Sequence, residues 1–171
     1  ARDIAAETFV LLKNDRQLLP LSKQGKIALI GPLADTRSNM SGTWSVAATP
    51  DRYSSLRESM EKALDGKATL LYAQGCNVVY DEQEQKDGEL GKTIARGDDA
   101  QMEAEALEVA RQADVIVCAM GETADMSGEC ASRTDLRMPD TQRHLLAQLA
   151  RTGKPIVLLN FSGRPTVLTW E

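Results

Sequence analysis

Aromatic residues are scarce: two tryptophans, two phenylalanines and three tyrosines in 171 residues. A tryptophan set among small polar residues therefore stands out. Histidine occurs once, as His144, and cysteine three times, as Cys76, Cys118 and Cys130, with no C-x-x-C spacing. An odd, widely spaced set supports neither a disulfide framework nor a zinc site, so free thiols and no metal are expected. Positive charge is in deficit, with 20 basic against 25 acidic residues and a net charge of -5. That balance leaves no basic stripe to neutralise phosphates and excludes nucleic acid as a partner. No segment approaches the roughly 18 to 20 uncharged apolar residues of a membrane span, so no membrane insertion is expected. The opening Ala1-Arg2-Asp3-Ile4 lacks the pattern of a signal peptide. It reads instead as the inside of an amphipathic helix in an excised fragment, which leaves the compartment to be argued from elsewhere. Neither G-x-G-x-x-G nor G-x-x-x-x-G-K-[ST] occurs. After the first apolar run stands Gly31-Pro32-Leu33, whose proline removes a backbone N–H that a phosphate would need.

A hydrophobic content of 42% is enough for one ordinary domain with a real core. Four short runs, 26–31, 68–73, 115–120 and 155–160, are continuously apolar rather than alternating, as strands buried on both faces of a parallel sheet are. Between them, Leu56, Met60, Ala63 and Leu64, then Met102, Ala106, Val109 and Ala110, then Leu145, Leu146 and Leu149, recur at spacings of three and four and mark one face of a helix each. Ile4, Thr8, Leu11 and Leu12 form a similar stripe at the amino end. The alternation predicts a three-layer α/β/α sandwich with a mostly parallel sheet, whose sites gather in loops beyond the carboxyl ends of strands. Two connections are too long for simple crossovers. Residues 32–50 contain Trp44 among Ser41, Gly42, Thr43 and Ser45. Residues 76–101 are mostly acidic, with Asp81, Glu82, Glu84, Asp87, Glu89, Asp98 and Asp99 against Lys86, Lys92 and Arg96, and read as a solvated surface loop.

The loop after the third run is the best site candidate. From Glu122 to Leu136 it gathers Glu122, Asp125, Glu129, Asp135 and Arg133 among small residues, where this fold class places its working parts. Spacing alone also fits a polar loop closed by an ion pair of Arg133 with Asp135 or Asp125.

The order Met120-Gly121-Glu122, Ser127-Gly128-Glu129, then Ser132-Arg133-Thr134-Asp135-Leu136-Arg137-Met138-Pro139 resembles the acid/base loop of glycoside hydrolase family 3, in its bacterial periplasmic β-glucosidase branch. Further segments match in the same order: Ala5 to Asn14 with Leu18-Leu19-Pro20-Leu21, Lys26 to Ala34, Gly42-Thr43-Trp44-Ser45, and Gly153 to Leu158 with Ser162-Gly163-Arg164-Pro165. The resemblance implies residues 1–24 as a linker helix and loop, and 25–171 as a truncated (α/β)6 sandwich. The carboxyl-terminal part of that domain and an amino-terminal (β/α)-barrel, which carries the nucleophilic aspartate, would be missing.

The resemblance also implies roles. Glu129 is the expected general acid/base of a retaining hydrolase acting on a β-linked glucoside or oligosaccharide, protonated in the first step and about 5 to 5.5 Å from the nucleophile. Trp44 is expected to face the sugar on the leaving-group side, since a flat indole suits the apolar face of a pyranose. Arg133 is expected to touch substrate or to orient the loop in a bidentate pair with Asp135, with Ser127 and Gly128 supporting the loop. Relatives commonly carry a second glycine after the acid/base, where this chain has Cys130. Glu122 is a weaker rival acid, and His144 reads as a helix-surface residue. No cofactor is needed. A periplasmic or secreted location follows from the resemblance, and the isolated fragment is expected to be inactive. The alternative is a non-catalytic carbohydrate-binding or packing module.

Overall fold

The computed structural model describes residues 2–42, 44–45, 47–87 and 93–171. Thr43, beside Trp44, and Glu89 and Lys92 of the acidic connection lie outside the described residues. Four strands, β1 (Lys26–Ile30), β2 (Thr69–Ala73), β3 (Val115–Gly121) and β4 (Ile156–Phe161), each fall within a residue of an expected run. They form one wholly parallel sheet in the order β2-β1-β3-β4. Central β3 is buried almost throughout, which is why its sequence is apolar without alternation.

The described helices are α1 (Arg2–Glu7), α2 (Leu56–Leu64), α3 (Glu82–Asp87), α4 (Asp99–Gln112) and α5 (Asp140–Ala150). Strand geometry sends Ala28, Ile30, Ile116, Cys118 and Met120 to one face, where they pack with Ala106 and Ala110 of α4 and Leu145, Leu146 and Leu149 of α5. The opposite face, with Ile27, Leu29, Val117 and Ala119, packs with Leu64 of α2 and with Leu18, Leu19 and Leu21. The result is the expected three layers. Each fully buried Leu or Ile contributes roughly 1.5 to 3 kcal/mol by leaving water. Local sequence sets the helix starts. Ser55 and Glu58 form a reciprocal capping box on α2, and the Asp98 carboxylate accepts from the Gln101 N–H at 2.9 Å to begin α4, each satisfying donors the helix leaves open.

Two expectations are corrected. The amino-terminal helix stops at Glu7 rather than running through the Ile4, Thr8, Leu11, Leu12 stripe, and Ile4, Leu11 and Leu12 are exposed. So short a helix has no stability of its own without a packed apolar face. The acidic connection is likewise more than a solvated loop. It contains α3, and its Val78, Val79 and Ile94 join Leu33 in a third apolar cluster. Buried Gln85 accepts from the Arg96 guanidinium at 2.8 Å and donates to the Ile94 carbonyl at 3.1 Å. The charges lie outside while a few aliphatic residues anchor the segment.

From β1 the chain passes to β2 on one side, and it returns to β3 on the other. The strand order therefore reverses between β1 and β3, and open α/β sheets place their ligands at that crevice. The connection containing Trp44 follows β1 and the loop containing Glu129 follows β3, so both candidate segments leave from adjacent strands.

Candidate active site

The site is built from the end of β3 outward. Gly121 is held by buried Gln142 of α5, whose Oε1 accepts from the Gly121 N–H at 2.7 Å and whose Nε2 donates to the Gly121 carbonyl at 2.9 Å and the Val78 carbonyl at 3.1 Å. A Cβ at Gly121 would lie 2.0 Å from the Phe161 carbonyl oxygen, so only glycine lets β3 lie this close to the end of β4.

Glu122 follows, with its side chain 1% exposed. A buried carboxylate is costly unless paired, and here both oxygens are engaged. Oε1 accepts from Arg133 Nη1 at 3.1 Å, and Oε2 accepts from Ser162 Oγ at 2.8 Å and Arg164 Nε at 3.2 Å. The other edge of the Arg164 guanidinium turns into the loop. Its Nη2 donates to the Ala131 carbonyl at 2.8 Å and to the Met126 carbonyl.

Glu129 stands between those two carbonyls in sequence and is exposed, on an arch that begins with partly buried Ser127. Gly128 has φ +100° and Cys130 φ +60°. A left-handed conformation costs a non-glycine residue about 1 kcal/mol or more, so the cysteine occupies a position whose geometry favours glycine. The Ser127 side chain lies over the turn after β4, where a Cβ added to Gly163 would be 2.1 Å from Ser127 Oγ.

The expected pairing of Arg133 with Asp135 or Asp125 is corrected. Arg133, its side chain 26% exposed, pairs with Glu122, while exposed Asp135 pairs with Arg137, accepting from its Nε at 2.9 Å. The Arg137 hydrogen bonds hold the Asp135 carboxyl well below the usual carboxylate range. Asp135 therefore supports the outgoing end of the loop, where the Val167 N–H donates to the Leu136 carbonyl at 2.9 Å. Glu122 is clamped by two guanidiniums and shut from solvent.

Trp44 is 69% exposed. Its connection is tied down near its start: Asp35 accepts from Ser55 Oγ at 2.8 Å and from Arg57 Nη1 at 3.1 Å, and Arg37 Nε donates to Glu58 at 3.0 Å. Asn39 Oδ1 then accepts from the Ala124 N–H at 2.7 Å, joining this connection to the Glu129 loop. His144 lies elsewhere, on the surface of α5, 2.8 Å from Glu103 of α4. All three cysteines are free; Cys76 and Cys118 are buried and Cys130 is exposed. Among the described residues no cluster of three or more His, Cys, Asp or Glu is arranged to hold a metal ion, and no helix is long and apolar enough to cross a membrane.

Sequence reasoning missed Arg164 and Ser162 as site residues. The Ser162-Gly163-Arg164-Pro165 turn was legible, and so was its place beyond the carboxyl end of a strand. That it docks on Glu122 follows only once β4 is known to lie beside β3.

Fold and loop together define a doubly wound α/β domain whose candidate site lies at the reversal of strand order. Residues 9–171 match the glycosyl hydrolase family 3 C-terminal domain, and the chain belongs to that family. It is 38% identical to a periplasmic beta-glucosidase of Salmonella typhimurium, with all of this chain and 23% of that protein aligned. It is 28% identical to a beta-xylosidase of Formosa agariphila, over 99% of this chain and 22% of that protein. A beta-glucosidase from Listeria innocua, solved in complex with isofagomine, superposes with a TM-score of 0.76 at 28% identity, over 98% of this chain and 20% of that one. The chain thus spans about a fifth of the length of these relatives.

Proposed function

We propose that this domain supplies the general acid/base, Glu129, to a retaining β-glucosidase that releases terminal non-reducing β-D-glucosyl residues. The nucleophile comes from an amino-terminal (β/α)-barrel of the same protein. The observation that carries the reading is an exposed carboxylate on an arch whose two feet, the Met126 and Ala131 carbonyls, are both held by Arg164 just beyond β4. A fixed yet outward-facing acid is what a second domain must present if it is to meet a nucleophile across an interface. In the first step Glu129 protonates the leaving oxygen while the barrel carboxylate attacks the anomeric carbon. In the second, Glu129 takes a proton from water as the glycosyl intermediate is hydrolysed. Exposed Trp44 forms one wall for the sugar or aglycone on the leaving-group side. Without the nucleophile the covalent step is lost, so this chain alone is inactive. Location in the periplasm or outside the cell accords with the name of the Salmonella relative, and a β-xyloside is the competing substrate, as the Formosa relative's name suggests.

The test is hydrolysis of a nitrophenyl β-glucoside and β-xyloside by the full-length enzyme and its Glu129→Ala variant, with and without azide. A loss of about 100-fold or more, together with recovery in azide and release of a β-glucosyl azide, is expected. Unchanged turnover in the variant would make the domain a packing or carbohydrate-binding module. Faster turnover of the xyloside would reassign the sugar.

A further inference from the structure

Arg164 touches both the buried end of the site and the arch. Its Nε meets Glu122 Oε2, and its Nη2 takes the carbonyls of Met126 and Ala131, three residues before and two after Glu129. Arg133, four residues after Glu129, meets the other oxygen of the same buried carboxylate. Glu122 is fixed in turn, because its own N–H donates to the Phe161 carbonyl at 2.8 Å and the residue before it is bracketed by Gln142. A planar guanidinium presents donors in a rigid fork, so it sets angle as well as distance, which an ammonium cannot do. An ion pair whose carboxylate is buried is weak as a stabiliser compared with apolar packing of similar volume. Its use here is therefore geometric.

From this geometry we infer that Glu122, Arg133 and Arg164 form a positioning clamp that sets where the Glu129 carboxyl sits, through the backbone of the arch and without touching substrate. The inference rests on the reading of Glu129 as the acid/base. Arg133, whose alternative role is contact with the sugar, belongs to the clamp because its Nη1 is directed to Glu122.

The clamp has a signature that loss of folding lacks. Acid assistance matters for a leaving group that is a poor anion and hardly at all for an activated one, so a misplaced acid slows the first class selectively. The full-length enzyme is assayed on phenyl and dinitrophenyl β-glucosides in the parent, Glu129→Ala, Arg164→Lys, Arg164→Met and Arg133→Met forms, well below the melting temperature of each. Expected for Arg164→Met is a fall of about 10- to 100-fold in kcat on the phenyl substrate, at most a few-fold in first-step rate on the dinitrophenyl one, and acceleration of the latter by azide. Arg164→Lys should show the same split at smaller size, and it carries the test if the methionine variant does not fold. Equal losses on both substrates, or none, would overturn the clamp while leaving Glu129 in its role, provided Glu129→Ala shows the split and the azide recovery. A rise in KM on both substrates with Arg133→Met, at unchanged kcat, would move Arg133 to the sugar site and out of the clamp. If Glu129→Ala shows no split, the acid/base reading fails and the clamp falls with it.

Discussion

Replacement of Gly163 by alanine tests the arch from the side that carries no charge. The glycine does not have a positive φ, so alanine is acceptable to the backbone and any effect is steric. The new methyl would stand 2.1 Å from Ser127 Oγ and 2.7 Å from Ser127 Cβ. Rotation about χ1 can move the hydroxyl away, but it leaves the Cβ where it is. Ordinary contact begins near 3.4 Å, so the Ser127 backbone must retreat by about 0.7 Å, two residues before Glu129. Because Arg164 holds the carbonyls of Met126 and Ala131, that displacement is forced into the span between them. A shift approaching an ångström at a reacting group costs up to about 100-fold, and the loss should appear in kcat/KM for phenyl β-glucoside and hardly at all for the dinitrophenyl substrate. Overpacking costs about 1 to 3 kcal/mol in a tight core, and an exposed arch that can yield should sit at the lower end, visible as a small fall in Tm. Parent-like turnover of phenyl β-glucoside by Gly163→Ala would refute the idea that Ser127 transmits position to Glu129.

Trp44→Ala should raise KM for a disaccharide by roughly tenfold, about 1.4 kcal/mol of lost stacking, with little change for a substrate whose leaving group is small. Steady-state kinetics on cellobiose and methyl β-glucoside separate the two, and an equal effect on both would remove the indole from the leaving-group side. Iodoacetamide at neutral pH should alkylate Cys130 and spare Cys76 and Cys118 until the chain is unfolded, which peptide mass mapping reads directly. Burial pushes the Cys118 thiol up to about 12 from an unfolded value near 9. The fold therefore favours the protonated thiol, a contribution complete below about pH 9 and lost as pH rises towards 12. Urea midpoints of Cys118→Ala should accordingly fall less steeply over that window than those of the parent, and parallel curves would show that the thiol does not titrate as burial requires.

The strands were legible to within a residue because a sheet covered on both faces demands apolar side chains at every position, and few other local structures do. The three packed helices were legible for the complementary reason, that each has one buried stripe. The amino-terminal stripe misled because periodicity records the capacity to bury a face, and Ile4, Leu11 and Leu12 stay exposed here. In residues 76–101 the many charges concealed Val78, Val79 and Ile94, three aliphatic residues at irregular spacing that are nonetheless buried. Of the candidate site, the place of the Glu129 loop beyond the end of β3 could be read from the sequence. The partners of Arg133 could not. Asp135 is two residues away and chemically apt, yet the fold offers Glu122, eleven residues back along the chain and brought near by the turn of the arch. Arg164 lies 42 residues from Glu122, a separation that only the pairing of β3 with β4 closes.

The hydrogen bond from the Ala124 N–H to Asn39 has a bearing on redesign. It ties the connection that presents Trp44 to the loop that presents Glu129, so the two cannot be exchanged as independent modules. A chimera that imports residues 32–50 from a relative, made to test the proposed role of Trp44 in aglycone preference, would inherit the donor's residue at position 44. Unless an acceptor is kept at position 39, it would also release the root of the loop that carries Glu129. Selectivity and turnover would then change together, and retaining Asn39 in the graft is the simplest way to vary one while holding the other.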